Sequence, residues 1–386
     1  MIRKAEETDY EEVVRLSQYS LMNDRTVISR FPKEMILGDF DSERLVAKVH
    51  ILDFDIYFSG EKVKMGGLSS ISFLPEERRK QKLDKLLFEA LVKMKNQGCA
   101  ISYLNPFSIP FYRKFGWELI SNEKQWTVNK ESNHLRTFGG SSNVKEFSRD
   151  LALPFLQKVY DRFSKENNGL IVRSEEWWKK GILKVNHFVY LHFLKDGSAD
   201  GYMIYRFENQ NLYVDECIAL NDAAKKSLWT CICQKDVRYE QLIWRTFEKD
   251  HFSFFLKNPF ILSEVKPSIM GRIVDVESFL KQYLFEPHEK PLFLHIHDPF
   301  AAWNSGTYLI KKGEITHFRK SAAGSVCIHP PKRGLQLDIS TLTAVLFRYM
   351  KPASLYDAGL IKGPNEDLHL LEQMLPLKKS MCMDRI

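Results

Sequence analysis

Two segments of this 386-residue sequence carry residues whose types and order can do chemistry. The first reads Gly67-Leu68-Ser69-Ser70-Ile71-Ser72-Phe73-Leu74-Pro75-Glu76-Glu77-Arg78-Arg79-Lys80-Gln81-Lys82-Leu83, a strand passing through a loop into a helix. Such a turn offers unpaired backbone N–H groups and the positive end of the helix dipole, and the Arg and Lys beside it add charge. A pyrophosphate suits that place, although charge alone points more to a solvated basic helix start. The second segment is Ser102-Tyr103-Leu104-Asn105-Pro106-Phe107-Ser108-Ile109-Pro110-Phe111-Tyr112-Arg113-Lys114-Phe115-Gly116-Trp117. It reads as strand, loop, a one-turn helix bearing Tyr112, then Phe-Gly-Trp, with Phe111, Phe115 and Trp117 as core.

The elements that must position these segments follow from periodicity. Asp9 to Leu21 predicts a helix through Val13, Val14, Leu16 and Leu21, and Leu45 to Phe58 alternates as a strand. Ser59-Gly60-Glu61-Lys62 is turn chemistry, after which Val63 to Met65 and Gly67 to Leu74 are extended. Pro75-Glu76-Glu77 opens a helix with the stripe Leu83, Leu86, Leu87, Ala90, Leu91 and Met94. A strand at Ala100 to Leu104 and a short helix at Ile109 to Lys114, ended by Gly116, complete the region. Residues 132–146 read as a linker. Beyond it come a helix at Asp150 to Lys165, strands at His187 to Leu194, Ala199 to Glu208 and Leu212 to Ala219, and a helix at Asp222 to Lys235. This order echoes the first region and suggests a degenerate duplication. From Ser268 the character changes. Arg272 to Leu280 runs into a helix, Pro291 to Pro299 alternates, Gly306 to Ile310 and Gly324 to His329 add strands, and Ser340 to Tyr349 and Glu366 to Met374 add helices. A small α+β domain fits.

At the two chemistry-bearing segments the sequence resembles the GNAT acetyltransferases, and over nearly its full length it resembles the Eis family (enhanced intracellular survival) of multi-amine N-acetyltransferases. The loop Pro75-x-x-Arg78-Arg79-Lys80, the string Pro110 to Trp117, and the tail strings Arg272 to Val276 and Asp298 to Gly306 carry the resemblance. It implies a mixed α/β and α+β fold of tandem GNAT domains, the first active (1–130) and the second without a cofactor site (131–267), then a sterol-carrier-protein-like α+β domain (268–386). It implies acetyl-CoA as acyl donor and no metal. Ile71, Ser72 and Phe73 would face the pantetheine through free backbone groups, Arg79, Lys80, Gln81, Lys82, Leu83 and Asp84 would wrap the pyrophosphate, and Phe107 and Ser108 would line the thiol end. Gln81 stands where the family usually has Gly, whose bare Cα lets backbone approach phosphate, so weakened binding is expected.

Tyr112 takes the role of acid: amine attack on a thioester makes an oxyanion and expels a thiolate, to which a phenol of pKa ~10 can donate while strand N–H groups hold the oxyanion. The family's use of its terminal carboxylate as base falls on Ile386. A carboxylate of pKa about 3.5 accepts poorly from an ammonium, so an electrostatic or water-relayed role is expected. An aromatic last residue is more usual there, and Arg385 beside it bears on substrate charge. Asp24 and Asp384 are candidate amine-binding acids. The expected activity is direct transfer in a ternary complex to a small-molecule amine entering a cleft between first and last domains, by a homo-oligomer, with a hexamer the leading guess. The rival is a lipid- or apolar-ligand-binding module with a vestigial transferase site, and a third is an acyltransferase taking a longer acyl group.

Composition narrows the class. Hydrophobic residues at 44% and charged residues at 27% exclude disorder and low complexity. Lys+Arg 56 against Asp+Glu 49 leaves +7, interleaved with acids as in Glu76-Glu77-Arg78-Arg79, which argues against nucleic acid and suits an anionic small ligand. No apolar run approaches the roughly 18 to 20 residues of a membrane span, and Met1 to Glu7 lacks a signal-peptide core, so a cytoplasmic protein is expected. Six scattered cysteines read as reduced thiols. Cys231-x-Cys233 and His295-x-His297-Asp298 do not read as metal sites. In the second domain, Asp215 to Asp222 reads as the corresponding strand-to-helix turn, whose acids would repel pyrophosphate.

Overall fold

The protein is described by a computed structural model covering residues 1–20, 36–74, 82–129, 137–138, 143–235, 239–250, 252–318 and 333–386. The strands of the first third are β1 (Ile2–Lys4), β2 (Ile36–Asp41), β3 (Arg44–Phe58), β4 (Glu61–Phe73), β5 (Ile101–Leu104) and β6 (Glu118–Asn129), with helices α1 (Tyr10–Ser20), α2 (Lys82–Asn96) and α3 (Ile109–Arg113). Next come β7 (Val144–Ser148), α4 (Arg149–Lys165), β8 (Phe188–Phe193), β9 (Ala199–Glu208), β10 (Asn211–Ala219), α5 (Asp222–Cys233), β11 (Gln241–Phe247) and β12 (Leu262–Ile273). The last third holds α6 (Val276–Gln282), β13 (Leu292–His297), β14 (Gly306–Lys311), β15 (Glu314–Phe318), β16 (Leu335–Asp338), α7 (Ile339–Leu346), α8 (Pro352–Asp357) and α9 (Asn365–Met374). The chain divides into two units, one of residues 1–120, 269–380 and 386, the other of 121–268 and 381–385.

In the first unit β1, β2, β3, β4, β5 and the end of β12 lie side by side. The β3–β4 hairpin turns on Ser59 (φ 53°) and Gly60 (φ 86°), the two positive values a tight hairpin turn demands. Side chains alternate along β3, so Val49 and Ile51 meet Leu86, Leu87, Ala90, Leu91 and Met94 of α2. The α2 stripe presses on backbone at Gly66, where an added Cβ would stand 2.1 Å from Met94 Sδ. Val13 and Leu16 of α1 pack with Ile36, Leu45 and Val46. The last region forms its own sheet, ordered β15, β14, β13, β16.

The tail strings singled out in the sequence meet one another in this unit. Arg272, wholly buried, pairs with Asp298 at 2.7 Å and donates to the Phe115 carbonyl at 2.5 Å. Asn304 donates to Asp298 at 2.9 Å and to the Val274 carbonyl at 3.1 Å. A buried ion pair is retained at a desolvation cost, and removing one partner strands the other.

In the second unit β6, β11, β10, β9, β8 and β7 lie side by side, with β10 and β11 parallel as β4 and β5 are. Its core is aromatic, with Trp229 and Trp244 5.4 Å apart and Tyr160 edge-on to Trp178 at 5.5 Å.

Several elements differ from expectation. Residues 144–146 of the expected linker begin β7, because Phe147 has an apolar slot between Phe155 and Phe193. Arg272 and Ile273 end a strand, and the helix starts only after Asp275, whose carboxylate accepts from the Ser278 N–H at 3.0 Å. Strands β6 and β11 were not anticipated. The helix opening at Pro75 and the strand at Gly324 to His329 lie outside the described residues. Among the described residues no helix is long and apolar enough to cross a membrane.

Candidate active site

The site begins where β5 ends. Four parallel pairs join β4 to β5, from Met65 with Ile101 to Leu68 with Leu104. The chain then leaves at Asn105-Pro106, and a proline cannot donate to a ladder. Strand β4 continues to Phe73, so from Ser69 onward it keeps β3 on one edge and, among the described residues, no strand on the other. On the β3 side the register slips: His50 pairs with Ser69 but Lys48 with Ser72, so β4 spends three residues where β3 spends two. The bulge sits at Ser70, whose φ is 46°, and its carbonyl accepts from Lys48 Nζ at 3.2 Å and from the Ser72 hydroxyl at 3.3 Å. A bulge bends its strand and redirects its polar groups. Ile71, Ser72 and Phe73 all lie on this bare edge.

Tyr112 is buried on α3, in the same packed cluster as Leu68 and Leu104, the last pair of the ladder. Its ring stands edge-on to Phe107 and Phe111, each at 5.1 Å. Ser108 caps the helix in extended conformation with Pro110 in the first turn, and Arg272 pins the chain just beyond at Phe115. Among the described residues the Tyr112 hydroxyl has no hydrogen-bond partner, and burial pushes it above its ordinary value. Phe115 and Trp117 are core as expected, whereas Phe107 is 57% exposed.

The opposite face of the sheet carries a different set. Since Val49 and Ile51 face α2, the intervening Lys48, His50 and Leu52 face away from it, and Gly67, paired with Leu52, shares their side. An added Cβ at Gly67 would stand 2.8 Å from Ile386 Cγ2 and 3.1 Å from the Phe54 ring. The Ile386 N–H donates to Asn105 Oδ1 at 2.6 Å, so this residue is held between β4 and the end of β5. Lys48 is wholly buried with Nζ 3.1 Å from His50 Nε2. Burial lowers its amine to about 7. Burial, and then the Lys48 charge, hold His50 well below its usual value. Neither residue was singled out in the sequence, although their two-residue spacing on a strand was the available signal.

Of the other expected site residues, Asp24, Arg79, Lys80 and Gln81 lie outside the described residues. Lys82, Leu83 and Asp84 open α2, with Lys82 3.8 Å from Asp41. Asp384 is not an exposed amine-binding acid. It is buried in the second unit, accepting from Arg173 Nε at 2.9 Å and from Trp177 Nε1 at 2.9 Å. Arg173 also grips Glu216 through two bonds of 2.8 and 2.5 Å, and the Tyr202 hydroxyl donates to Glu216 at 2.6 Å.

The acids of the second domain need a corrected account. Asp215 and Glu216 are strand residues of β10, and their charges are matched: Asp215 by Arg206 at 2.7 Å, with His187 at 3.2 Å, and Glu216 by Arg173. Burial alone would raise Glu216, but Arg173 overrides it and holds the carboxyl below its usual range. Asp215 and Glu216 therefore do not stand as bare charge that would repel pyrophosphate. The turn into α5 is self-capped, Asn221 accepting from the Ala224 N–H at 2.9 Å. Past the β10–β11 ladder Arg245, next after the last paired residue, donates to the Met383 carbonyl at 2.6 Å. A charged cavity of about 200 Å³ remains, lined by Arg206, Arg245, Tyr213, Asp215 and Arg385 among others.

His295 bonds Thr307 at 2.9 Å and the Arg333 carbonyl at 3.1 Å, and Asp298 is spent on Arg272. Cys99, Cys217, Cys233 and Cys382 are free thiols, Cys99 pushed up to about 11 by burial.

Comparison with known proteins adds the following. Residues 1–120 match a family described as acetyltransferase (GNAT) domain, residues 169–273 match another family of that description, and residues 276–383 match the sterol carrier protein domain family. Two proteins of Streptomyces griseus, each called an uncharacterized N-acetyltransferase, are 22% identical over 223 residues, 52% of this chain and 54% of theirs. The match thus spans about half the length of those curated relatives. A crystal structure from Enterococcus faecalis, described as a conserved protein of unknown function and probable N-acyltransferase, is 23% identical with a TM-score of 0.89 over 100% of this chain and 99% of that one. A GCN5-related N-acetyltransferase from Anabaena variabilis is 20% identical with a TM-score of 0.87, and Eis1 from Mycobacterium abscessus is 16% identical with a TM-score of 0.81, each covering 100% of both chains. At these identities the likeness is one of fold. The fold is two GNAT domains followed by a sterol-carrier-type domain.

Proposed function

We propose that this chain is an acetyl-CoA-dependent N-acetyltransferase of small amines, related to the Eis proteins, that works by direct transfer on the first of its two GNAT domains. The domain boundaries of the proposal are 1–130, 131–267 and 268–386. The observation that carries it is the edge of β4 from Ser69 to Phe73, which has no strand beside it among the described residues and begins at the ladder pair that shares a core cluster with Tyr112. An extended pantetheine chain has amides that can pair with such an edge as an added strand does. Ile71, Ser72 and Phe73 would hold it there, Phe107 and Ser108 its thiol end, and Lys82 to Asp84 with the residues before them the pyrophosphate.

In the proposed step the amine nitrogen bonds to the thioester carbonyl carbon, and the oxyanion is held by N–H groups of the β4 edge. The C–S bond then breaks, the thiolate takes a proton through Tyr112, and the amine nitrogen loses one. A phenol raised by burial keeps its proton at neutral pH and acts first as a donor to the developing thiolate. Tyr112 lies on the α2 face and Ile386 on the other, an arrangement that supports separate tasks for the two. The Ile386 carboxylate would draw the ammonium and relay its proton through water. A homo-oligomer, a hexamer, completes the proposal.

The test is calorimetric titration with acetyl-CoA, alongside thiol release by the wild type and by Tyr112→Phe over a panel of polyamines. Micromolar binding, with release that collapses in the variant, is the expected result. No detectable binding would remove the reading in favour of a lipid-binding module with a vestigial site.

A further inference from the structure

We propose that Lys48 is a positioning residue of the transfer site, its amine holding the Ser70 carbonyl so that the bulge keeps the bare edge of β4 turned into the gap beyond Leu68. The proposal rests on the transferase reading above. Ser70 adopts φ 46°, a region that L residues enter at a cost and keep only when their surroundings over-determine it. The over-determination is visible: the Ser70 carbonyl accepts from Lys48 Nζ at 3.2 Å and from the Ser72 hydroxyl at 3.3 Å. One inserted residue shifts the alternation of the strand, so groups that would face β3 turn to the other edge. The clamp on Ser70 therefore decides which N–H groups a thioester meets.

The chemistry of the amine suits the task. A neutral lysine has two N–H bonds, and two partners are in reach, the Ser70 carbonyl at 3.2 Å and His50 Nε2 at 3.1 Å, which accepts in the tautomer protonated at Nδ1. Holding a charged ammonium at this buried position would carry a desolvation cost that two neutral acceptors do not offset. Burial accordingly favours the form that the geometry already satisfies. Lys48 does not touch the reacting atoms in this scheme. It acts through Ser70.

The test compares Lys48→Met with Lys48→Gln in the full chain. Met keeps the apolar stem and loses the donor, while Gln keeps two N–H bonds on a neutral group. Positioning predicts that Met lowers acetyl-CoA turnover about tenfold, mainly in kcat at saturating acetyl-CoA, and that Gln recovers to within about threefold. Amide hydrogen exchange over residues 69–73 should quicken in Met and less so in Gln. A packing role predicts the reverse order, Met nearer the wild type than Gln, and that order would overturn the proposal, as would unchanged exchange at 69–73. A wild-type chain that neither binds nor cleaves acetyl-CoA would overturn the transferase reading instead, with exchange still deciding whether Lys48 holds the bulge.

Discussion

In the β4–β5 ladder the third pair is Gly67 with Tyr103, and in the β10–β11 ladder it is Tyr213 with Ile243. Each ladder is four pairs long, and each is followed by a bulge. Past it the two regions diverge. The first leaves a bare strand edge, bounded by small and hydroxyl-bearing residues. The second places the ion cluster of Arg173, Glu216 and Asp384 beside a charged cavity of about 200 Å³, and Arg245 ties Met383 next to it. A shared strand frame thus carries an edge without a described strand neighbour in one region and a buried ion cluster in the other.

The strongest way to break the comparison is Tyr112→Phe. The sequence from Glu248 to Ile261 that follows β11 holds no tyrosine, so the proposed acid belongs to the first domain alone. A drop in kcat of about 100-fold or more is expected, with acetyl-CoA affinity little changed. Thermal unfolding should stay close to wild type, because the hydroxyl has no partner to lose among the described residues. Arg173→Met tests the ion cluster of the second region. It strands two buried carboxylates and should cost about 3 to 5 kcal/mol in urea denaturation. Adding Glu216→Gln and Asp384→Asn should recover part of that loss.

Gly67→Ala is a smaller intrusion into the open region. Its Cβ would meet Ile386 and Phe54, so turnover should fall by roughly tenfold through a displaced Ile386, with a cost of about 1 to 3 kcal/mol in stability. The mildest test is pH. Lys48 titrates at about 7 in the fold and near ~10.4 unfolded, so between those values the unfolded chain holds the extra proton. Its contribution is complete above ~10.4 and is lost as pH falls toward 7, with a slope of at most about 1.4 kcal/mol per pH unit. Lys48→Met should remove that slope in denaturation midpoints measured from pH 7 to 10. Glu216, held low by Arg173, contributes the opposite way: its stability is present above ~4.3 and is lost as pH falls through its lowered folded value. The open region should answer to alkali and the ion cluster to acid.

Much of the frame was legible. The alternation of β3, the turn at Ser59-Gly60 and the α2 stripe are local patterns, and they formed where their spacing placed them. The string around Tyr112 was legible for the same reason, since helix cap, proline and glycine act within a few residues of one another. Asp384 was misread because an acid near a chain end looks solvated in sequence, while its partner Arg173 lies 211 positions away. Asp215 and Glu216 were misread as bare charge for the same reason.

Residue type and short-range spacing determined the β3–β4 hairpin, the α2 stripe and the short helix that carries Tyr112, because backbone geometry and side-chain alternation act over a few residues. Tertiary structure alone decided which charges are matched, where β4 has no strand beside it among the described residues, and that Lys48 is buried against Ser70 and His50. Those outcomes depend on desolvation and on strand register, and both are set only when distant segments meet.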